Sequence, residues 1–434
     1  TCSSKFRVQY RVNSRINDVF INLTTDPRLC SPTEQRCLRR NTTRYVRLMK
    51  ARHIDPFSED SFDLSWYESS FHKTIGWLKN KLCLRVDALP VYHPNDVADY
   101  LLDRQRNNDL SSSPGRYFKR LGFKSKREVY ESKKGMFYVK SFIHKVKRKN
   151  VKFAPAWVAC PSAIIRDGKI KYRNCIVFPA DVSLLEGMFA VPFLSRLPPT
   201  WINRAERDCK RLCRLGSFKV DFSRQDTTVP KQMVFAGMQV IKHLLDFSRY
   251  ENRGSPNRKF SLEDCFDRLV NYHVKTPCYV HNGKITFIQD GNKSGSMFTN
   301  LLSSVISYLS CMYSFAPYDL DCYGDDTFLV QPTHNKKMTW MDLKFEQPNE
   351  AGHLTYQKCV CVGGRGYYPG VWFRNIMNKA LWYHRPSIAW CLLHSVRWLT
   401  PEQETYLKSF LGRDIMYGSK WLTRYLLRIV EFIL

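Results

Sequence analysis

The chain has 434 residues, 44% hydrophobic and 14% aromatic, with a formal net charge of +29 and a sequence pI of about 9.6. Such a length predicts two or three subdomains rather than one small core, and the composition excludes a disordered chain. The excess of Lys and Arg favours a polyanionic partner, because these side chains displace counterions from phosphate backbones; a membrane surface or mere solubility are the blander explanations.

The chain starts at Thr1, as a fragment or a processed form does, with no charged-then-apolar leader of secretory type. No window of 18 uninterrupted apolar residues exists, so no membrane span is expected. Residues 1 to about 115 mix helical and loop sequence with few chemical signals, as far as the breaker Ser111-Ser112-Ser113-Pro114-Gly115. From Arg116 to Asn150, thirteen Lys or Arg stand against only Glu128 and Glu131. Tyr117, Phe118, Tyr130, Phe137, Tyr138 and Phe142 interleave with them. Basic residues with stacking rings suit single-stranded nucleic acid, though a solvated helix with a half-buried aromatic side has the same composition. A foldable pattern returns over 151–215, punctuated by prolines.

Chemical signals concentrate between 216 and 345. Ser217-Phe218-Lys219-Val220-Asp221-Phe222 reads as a strand ending in a carboxylate, with Asp226 five residues on. Gly291 to Asn300 is a Gly/Ser loop opening a helix of some 15 residues, able to set N–H groups and hydroxyls against a sugar or phosphate. Leu320 to Tyr323 and Thr327 to Val330 are strand-like runs around Gly324-Asp325-Asp326, a hairpin signal. Adjacent carboxylates at a hairpin tip are costly without a cation, although an exposed acidic turn looks the same. Asp221 and Asp325 on neighbouring strands would jointly hold two divalent ions, for which Mg²⁺ suits because it takes few carboxylates. Residues 346–434 carry Val362-Gly363-Gly364-Arg365-Gly366, then an aromatic tail whose end, Trp421 to Leu434, reads as a packed helix.

The fifteen cysteines include no Cys-x-x-Cys pair, and neither Cys209 with Cys213 nor Cys359 with Cys361 has partners at zinc spacing. They are expected as buried reduced thiols of an intracellular protein, and the sequons at Asn22, Asn41 and Asn292 as accidental.

Strand carboxylate, Ser-Gly loop with helix, then Gly-Asp-Asp hairpin is the order of polymerase motifs A, B and C. Residues 169 to 365 resemble a viral RNA-dependent RNA polymerase of the partitivirus and picobirnavirus group. Asp221 to Pro230, with its trailing Thr-Val-Pro, resembles motif A. Ser294-Gly295-Ser296-Met297-Phe298-Thr299 resembles motif B, and Gly324-Asp325-Asp326-Thr327 is motif C. Lys169 to Pro179, with Glu186 and Phe189, resembles motif F; Asp342-Leu343-Lys344 resembles motif D, and Val362 to Arg365 motif E. Two positions depart from the group: Lys293 replaces a usual proline, which predicts a more mobile or phosphate-touching loop. Ser303 replaces an Asn or Asp that senses the ribose 2′-OH.

The resemblance implies an α+β right-hand polymerase with fingers, a palm of antiparallel sheet flanked by helices, and a helical thumb. Fingers and N-terminal region would fill 1–215, with the basic segment at 116–150 and motif F at 169–189. The palm would fill 216–345 with a fingers-side insertion near 230–285, and motif E with a truncated thumb 346–434. It implies Asp221, Asp325 and Asp326 as metal-binding and catalytic, with Lys344 as acid. Asp226, Ser294, Gly295, Thr299 and Asn300 would contact the ribose, and Lys171 and Arg173 the triphosphate. Implied cofactors are two Mg²⁺ ions, with Mn²⁺ as substitute. Implied partners are single- and double-stranded RNA, NTPs and capsid or other viral proteins, in host cytoplasm or inside the particle. A reverse transcriptase shares the palm but usually carries an aromatic gate after motif A. A non-catalytic RNA-binding protein would explain the charge and not the carboxylates, and a metal-dependent nuclease would cleave rather than extend.

Overall fold

The structure, a computed structural model, describes residues 7–13, 18–24, 63–103, 108–148, 151–166, 169–197, 217–254, 261–279, 285–335, 338–349, 354–356, 359–362 and 365–367, with a few single positions besides. β1 (Arg7–Asn13) and β2 (Asp18–Thr24) pair as an antiparallel hairpin. α1 (Leu64–Lys81) begins where the Asp63 side chain accepts the Trp66 N–H at 2.9 Å, satisfying one of the orphan donors of a helix start. β3 (Leu89–Val91) and α2 (Pro94–Asp103) follow.

The basic segment forms α3 (Arg116–Arg120), α4 (Lys126–Glu131) and α5 (Lys133–Lys147). Ser125 and Ser132 cap the last two by accepting the Glu128 and Gly135 N–H groups. Helical spacing divides the rings of this segment: Phe118 and Tyr130 are core, whereas Tyr117 and Phe137 are exposed. β4 (Ala156–Arg166) and β5 (Lys169–Val177) make a long antiparallel hairpin. In α6 (Ala180–Leu194) every residue from Ala180 to Phe193 is buried, as a helix apolar on all sides requires. The one carboxylate in its middle, Glu186, is therefore conspicuous.

β6 (Ser217–Phe222), the single turn α7 (Gln225–Thr228) and α8 (Lys231–Lys242) come next. They lead to β7 (Leu245–Tyr250), α9 (Leu262–Val274), β8 (Thr276–Tyr279) and β9 (Ile285–Ile288). α10 (Thr299–Phe315), β10 (Asp319–Tyr323), β11 (Asp326–Val330) and β12 (Leu343–Glu346) complete the central region. β13 (Leu354–Tyr356), β14 (Cys359–Val362) and β15 (Arg365–Tyr367) form a small antiparallel sheet.

The architecture is α+β. A four-stranded sheet in the order β10-β11-β6-β12 is antiparallel throughout. A larger sheet runs β1-β2-β4-β8-β9 with β5 beside β4, and its β4–β8 pair is parallel, as is the separate pair β3–β7. α10 packs between α1, α8 and β10. α8 crosses it at Gly237, where a Cβ would come within 2.6 Å of Leu302 Cδ1. Buried Ser304, Ser307, Ser310 and Ser314 keep the side of α10 small, which lets the β10–β11 hairpin approach.

At the edge of the sheet, Asp321 is buried yet compensated: Lys81 pairs with it, Arg211 Nη1 lies 3.6 Å away and Trp77 Nε1 donates at 3.2 Å. A buried carboxylate persists only with such partners, so Asp321 is structural. Trp77 in turn stacks on Tyr308 of α10 with ring centroids 4.4 Å apart.

Among the described residues no helix is long and apolar enough to cross a membrane. Cys83, Cys175, Cys265, Cys278, Cys311 and Cys322 are free thiols, but Cys361 is disulfide-bonded, which corrects the expectation of reduced cysteines throughout. Spacing alone carries no sign of that bond. Asn292 is buried, which removes its sequon as an acceptor. The tail from Trp421 to Leu434, and nearly all of the region expected as thumb, lies outside the described residues.

Candidate active site

Register in the four-stranded sheet sets the site. Tyr323 pairs with Asp326, Asp326 with Asp221, and Asp221 with Lys344. Directly opposed residues of antiparallel strands share one face with Cβ atoms about 4.5–5.5 Å apart, so these four form one row across β10, β11, β6 and β12. The neighbouring row on that face is Asp321–Phe328–Lys219–Glu346, in which Phe328 is buried and Lys219 bonds Glu346 across β6 and β12 at 3.0 Å. On the other face Val220, Phe222, Cys322 and Leu329 are buried in the core.

Asp325 occupies the two-residue turn between β10 and β11 and is exposed, while Asp221 and Asp326 are half-buried. Gly324 holds the first turn position at φ 64°, where a II′ turn takes glycine. Two serines of α10 fix that turn: Ser304 Oγ accepts the Gly324 N–H at 2.8 Å, and Ser307 Oγ donates to the Gly324 carbonyl at 2.7 Å.

The exit from β6 is equally constrained. Ser223 N–H donates to Asp342 O at 2.8 Å, and Arg224 adopts a left-handed conformation (φ 59°, ψ 38°) that few non-glycine residues take. The chain reverses there into α7, which leaves Asp226 exposed and buries Gln225. Gln225 Nε2 donates to Ser307 Oγ at 2.6 Å, and Ser303 Oγ donates to Gln225 Oε1. A polar chain therefore runs from Ser303 through Gln225 and Ser307 to Gly324.

The Ser-Gly loop is held from three sides. Glu186 accepts the Met297 N–H at 2.9 Å and the Ser296 hydroxyl, and its Oε1 lies 2.9 Å from His273 Nε2. Ser294 Oγ donates to Asn174 O of β5 at 3.4 Å, and a Cβ on Gly295 would lie 2.0 Å from Ile176 O of the same strand. Only glycine fits at 295. Lys293 is 1% exposed and its amine donates to the carbonyls of Gln289, Asp290 and Gly291 at 3.2, 3.1 and 2.9 Å. Burial pushes its pKa down to about 7, opposed by Asp290. The expectation of a mobile or phosphate-touching loop at Lys293 is thereby overturned, since its side chain is enclosed and pins the loop.

Of the other expected residues, Thr299 lies with its hydroxyl 2.7 Å from Ser296 O and 2.9 Å from Lys293 O, and Asn300 and Gly295 are exposed. Lys171 and Arg173 lie on β5, paired with Ile164 and Ser162. Sequence reasoning missed His273, and quoted Glu186 without seeing its function. Its signal was a lone carboxylate within the apolar run Val182 to Phe193.

Among the described residues no group of three His, Cys, Asp or Glu side chains is gathered to hold a metal ion. A hard divalent cation needs less, because Mg²⁺ binds through one or two carboxylates and takes its remaining oxygens from water and phosphate. Opposed Asp221 and Asp326, with Asp325 in the adjoining turn, fit that donor set.

A family model described as viral RNA-dependent RNA polymerase matches residues 17–334, well over half of the chain. The chain belongs to the viral RNA-dependent RNA polymerase family. It is also similar to the RNA-directed RNA polymerase of Cryptosporidium parvum virus 1 (strain KSU-1), at 26% identity over 231 residues, 48% of this chain and 42% of that protein. The matched part thus spans less than half the length of that relative. All of the row from Tyr323 to Asp326 and Asp221 lies within the family match, and Lys344 beyond it.

Proposed function

We propose that this viral polymerase-family chain performs template-directed RNA synthesis from NTPs on an RNA template, by a two-metal nucleotidyl transfer that serves genome replication and transcription. The observation that carries this reading is the register of Asp221 against Asp326 beside the Gly324-Asp325 turn. Residues 1–215 then act as N-terminal region and fingers, 216–345 as palm, and 346–434 as motif E and thumb. Single- and double-stranded RNA, NTPs and capsid or other viral proteins are its partners, in host cytoplasm or within the particle.

Asp221, Asp325 and Asp326 would hold two Mg²⁺ ions, or Mn²⁺ in their place. When bound, these ions supply the charge that activates a 3′-hydroxyl and neutralises departing pyrophosphate. The protein's own share is alignment. The strand terminus oxygen bonds to the α-phosphorus as the bond to pyrophosphate breaks, and the 3′-hydroxyl proton leaves to solvent. Lys344, which pairs with Asp221 in register, would return a proton to the pyrophosphate. Asp226 and Asn300, both exposed, meet the ribose together with Ser294, Gly295 and Thr299. Lys171 and Arg173 neutralise the triphosphate. Much of the acceleration comes from positioning rather than covalent chemistry.

Exposed Asp226 stands in the region after motif A where a reverse transcriptase usually has an aromatic gate, and a carboxylate accepts a hydrogen bond from a 2′-OH. Incorporation of labelled NTPs on single-stranded RNA, run against dNTPs, tests the reading. NTP use with rejection of dNTPs supports it, and equal dNTP use assigns reverse transcription instead.

A further inference from the structure

The basic, aromatic segment at 116–148 contributes nothing to the Asp221–Asp326 row, and its exposed face is unusual. Phe137 is 65% and Tyr117 49% exposed, both large apolar rings on the surface. Half-buried Tyr138 stands between them, with ring centroids 5.8 Å from Tyr117 and 5.7 Å from Phe137. Exposed Lys119, Arg120, Lys133 and Lys134 lie on the same two helices as these rings, α3 and α5. Apolar rings inside a cationic field suit a partner that is flat, apolar and anionic together, which describes unpaired nucleotides.

Beside Tyr117 lies a cavity of about 200 Å³, lined by Pro114, Arg116, Tyr117, Asp181, Tyr279 and neighbours. It is smaller than the ~300–1,000 Å³ of typical pockets for drug-sized ligands, and suits a single heterocycle. The Arg116 guanidinium lies 4.7 Å over the Tyr279 ring, which forms an aromatic and cationic wall. Asp181, at the start of α6, is 7% exposed and accepts the Val182 N–H at 2.9 Å. The buried Lys126 ammonium, which donates to Ser183 Oγ at 2.8 Å, acts on it through charge. Burial pushes its carboxyl up to about 6, opposed by the backbone N–H bonds and the Lys126 charge. A carboxylate lining an aromatic cavity accepts best from a base with two adjacent donors, and guanine, with N1–H and N2–H₂, has them.

We propose that the α3–α5 face is a docking site for single-stranded RNA, in which Tyr117, Tyr138 and Phe137 stack on bases and the cavity takes one unstacked guanine against Asp181. None of its residues belongs to β6, β11 or the Ser-Gly loop. It is a second RNA site, not a subsite of the carboxylate row, and it stands whether or not the chain turns over NTPs.

The test is binding of short fluorescent RNAs to the whole chain without metal or NTP, so that failure of catalysis leaves the result readable. Phe137→Ser and Tyr117→Ala should each weaken single-stranded binding by about fivefold to a hundredfold, the range for loss of one stacked base. Duplex RNA should bind both variants as it binds the native chain. Replacing one guanosine by inosine, which lacks the N2 amine, should weaken native binding at least about fivefold and leave Asp181→Asn unaffected. If Tyr117→Ala fails to fold, 6-thioguanosine RNA crosslinked to the native chain should map to peptides carrying Arg116–Arg120 or Tyr279. Native-like affinity of Phe137→Ser and Tyr117→Ala, or crosslinks confined elsewhere, would overturn the site. Equal binding of inosine and guanosine RNA would overturn the guanine assignment.

Discussion

Glu186 of α6 accepts the Met297 N–H of the Ser-Gly loop at 2.9 Å, so one buried carboxylate fixes the entry to α10. The same group takes the Ser296 hydroxyl and faces His273. Because α10 also carries Ser303, Ser304 and Ser307, the loop, the turn at Gly324 and the exit from β6 are parts of one hydrogen-bonded body.

Glu186→Gln should therefore act at a distance. The amide keeps one acceptor but forfeits a charge-assisted bond, costing about 1.5–3 kcal/mol of stability. Thermal melting reads that loss. Steady-state kinetics of the folded variant should show KM for NTP rising more than kcat falls, since the loop proposed to meet the ribose is displaced. Unchanged melting and KM would contradict the clamp.

Lys293 gives a pH signature. Its folded pKa of about 7 lies below the ordinary lysine value of 10.5, so from about pH 7 to 10 the unfolded chain binds more protons there than the folded one. Stability then rises with pH across that window by this contribution. Near pH 9.5, where most of the desolvation cost is gone, Lys293→Met should be less stable by about 2 kcal/mol for the stranded carbonyls. Its melting temperature should also gain less between pH 7 and 9.5 than that of the native chain. Parallel pH curves would count against a depressed Lys293.

Much of this region was legible in the sequence. The strand over 217–222 and the hairpin around Gly324-Asp325 follow from short alternating runs and a glycine that tolerates positive φ. Long-range pairing was less legible, because the register that sets Lys344 against Asp221 depends on β12 joining β6 across more than a hundred residues. The Lys293 side chain reads as a solvated cation until the carbonyls that enclose it are located. The six rings of 116–150 look alike in sequence, yet helix packing sends Phe118 inward and Phe137 outward.

Ser303 and Asp226 test sugar selection. Ser303→Ala removes the donor to Gln225 and should cost about 1 kcal/mol of stability. It should lower the kcat/KM ratio of NTP to dNTP by a few fold, through a looser Gln225. Asp226→Ala should lower that ratio by tenfold or more with little change in stability, since the side chain is exposed and proposed to meet the 2′-OH directly. A larger effect from Ser303→Ala than from Asp226→Ala would reverse these roles.

The row formed by Asp221 and Asp326 with the Asp325 turn is proposed to be a polymerising centre rather than an acidic surface. Mg²⁺-dependent extension on a single-stranded RNA template should be compared for the native chain and Asp325→Asn, with RNA affinity measured on both. The native chain should make labelled RNA, Asp325→Asn should lose at least about a thousandfold in turnover, and RNA affinity should be equal within a factor of about two or three. Equal turnover by the two chains, or RNA binding without extension by either under varied metals and primers, would contradict that assignment.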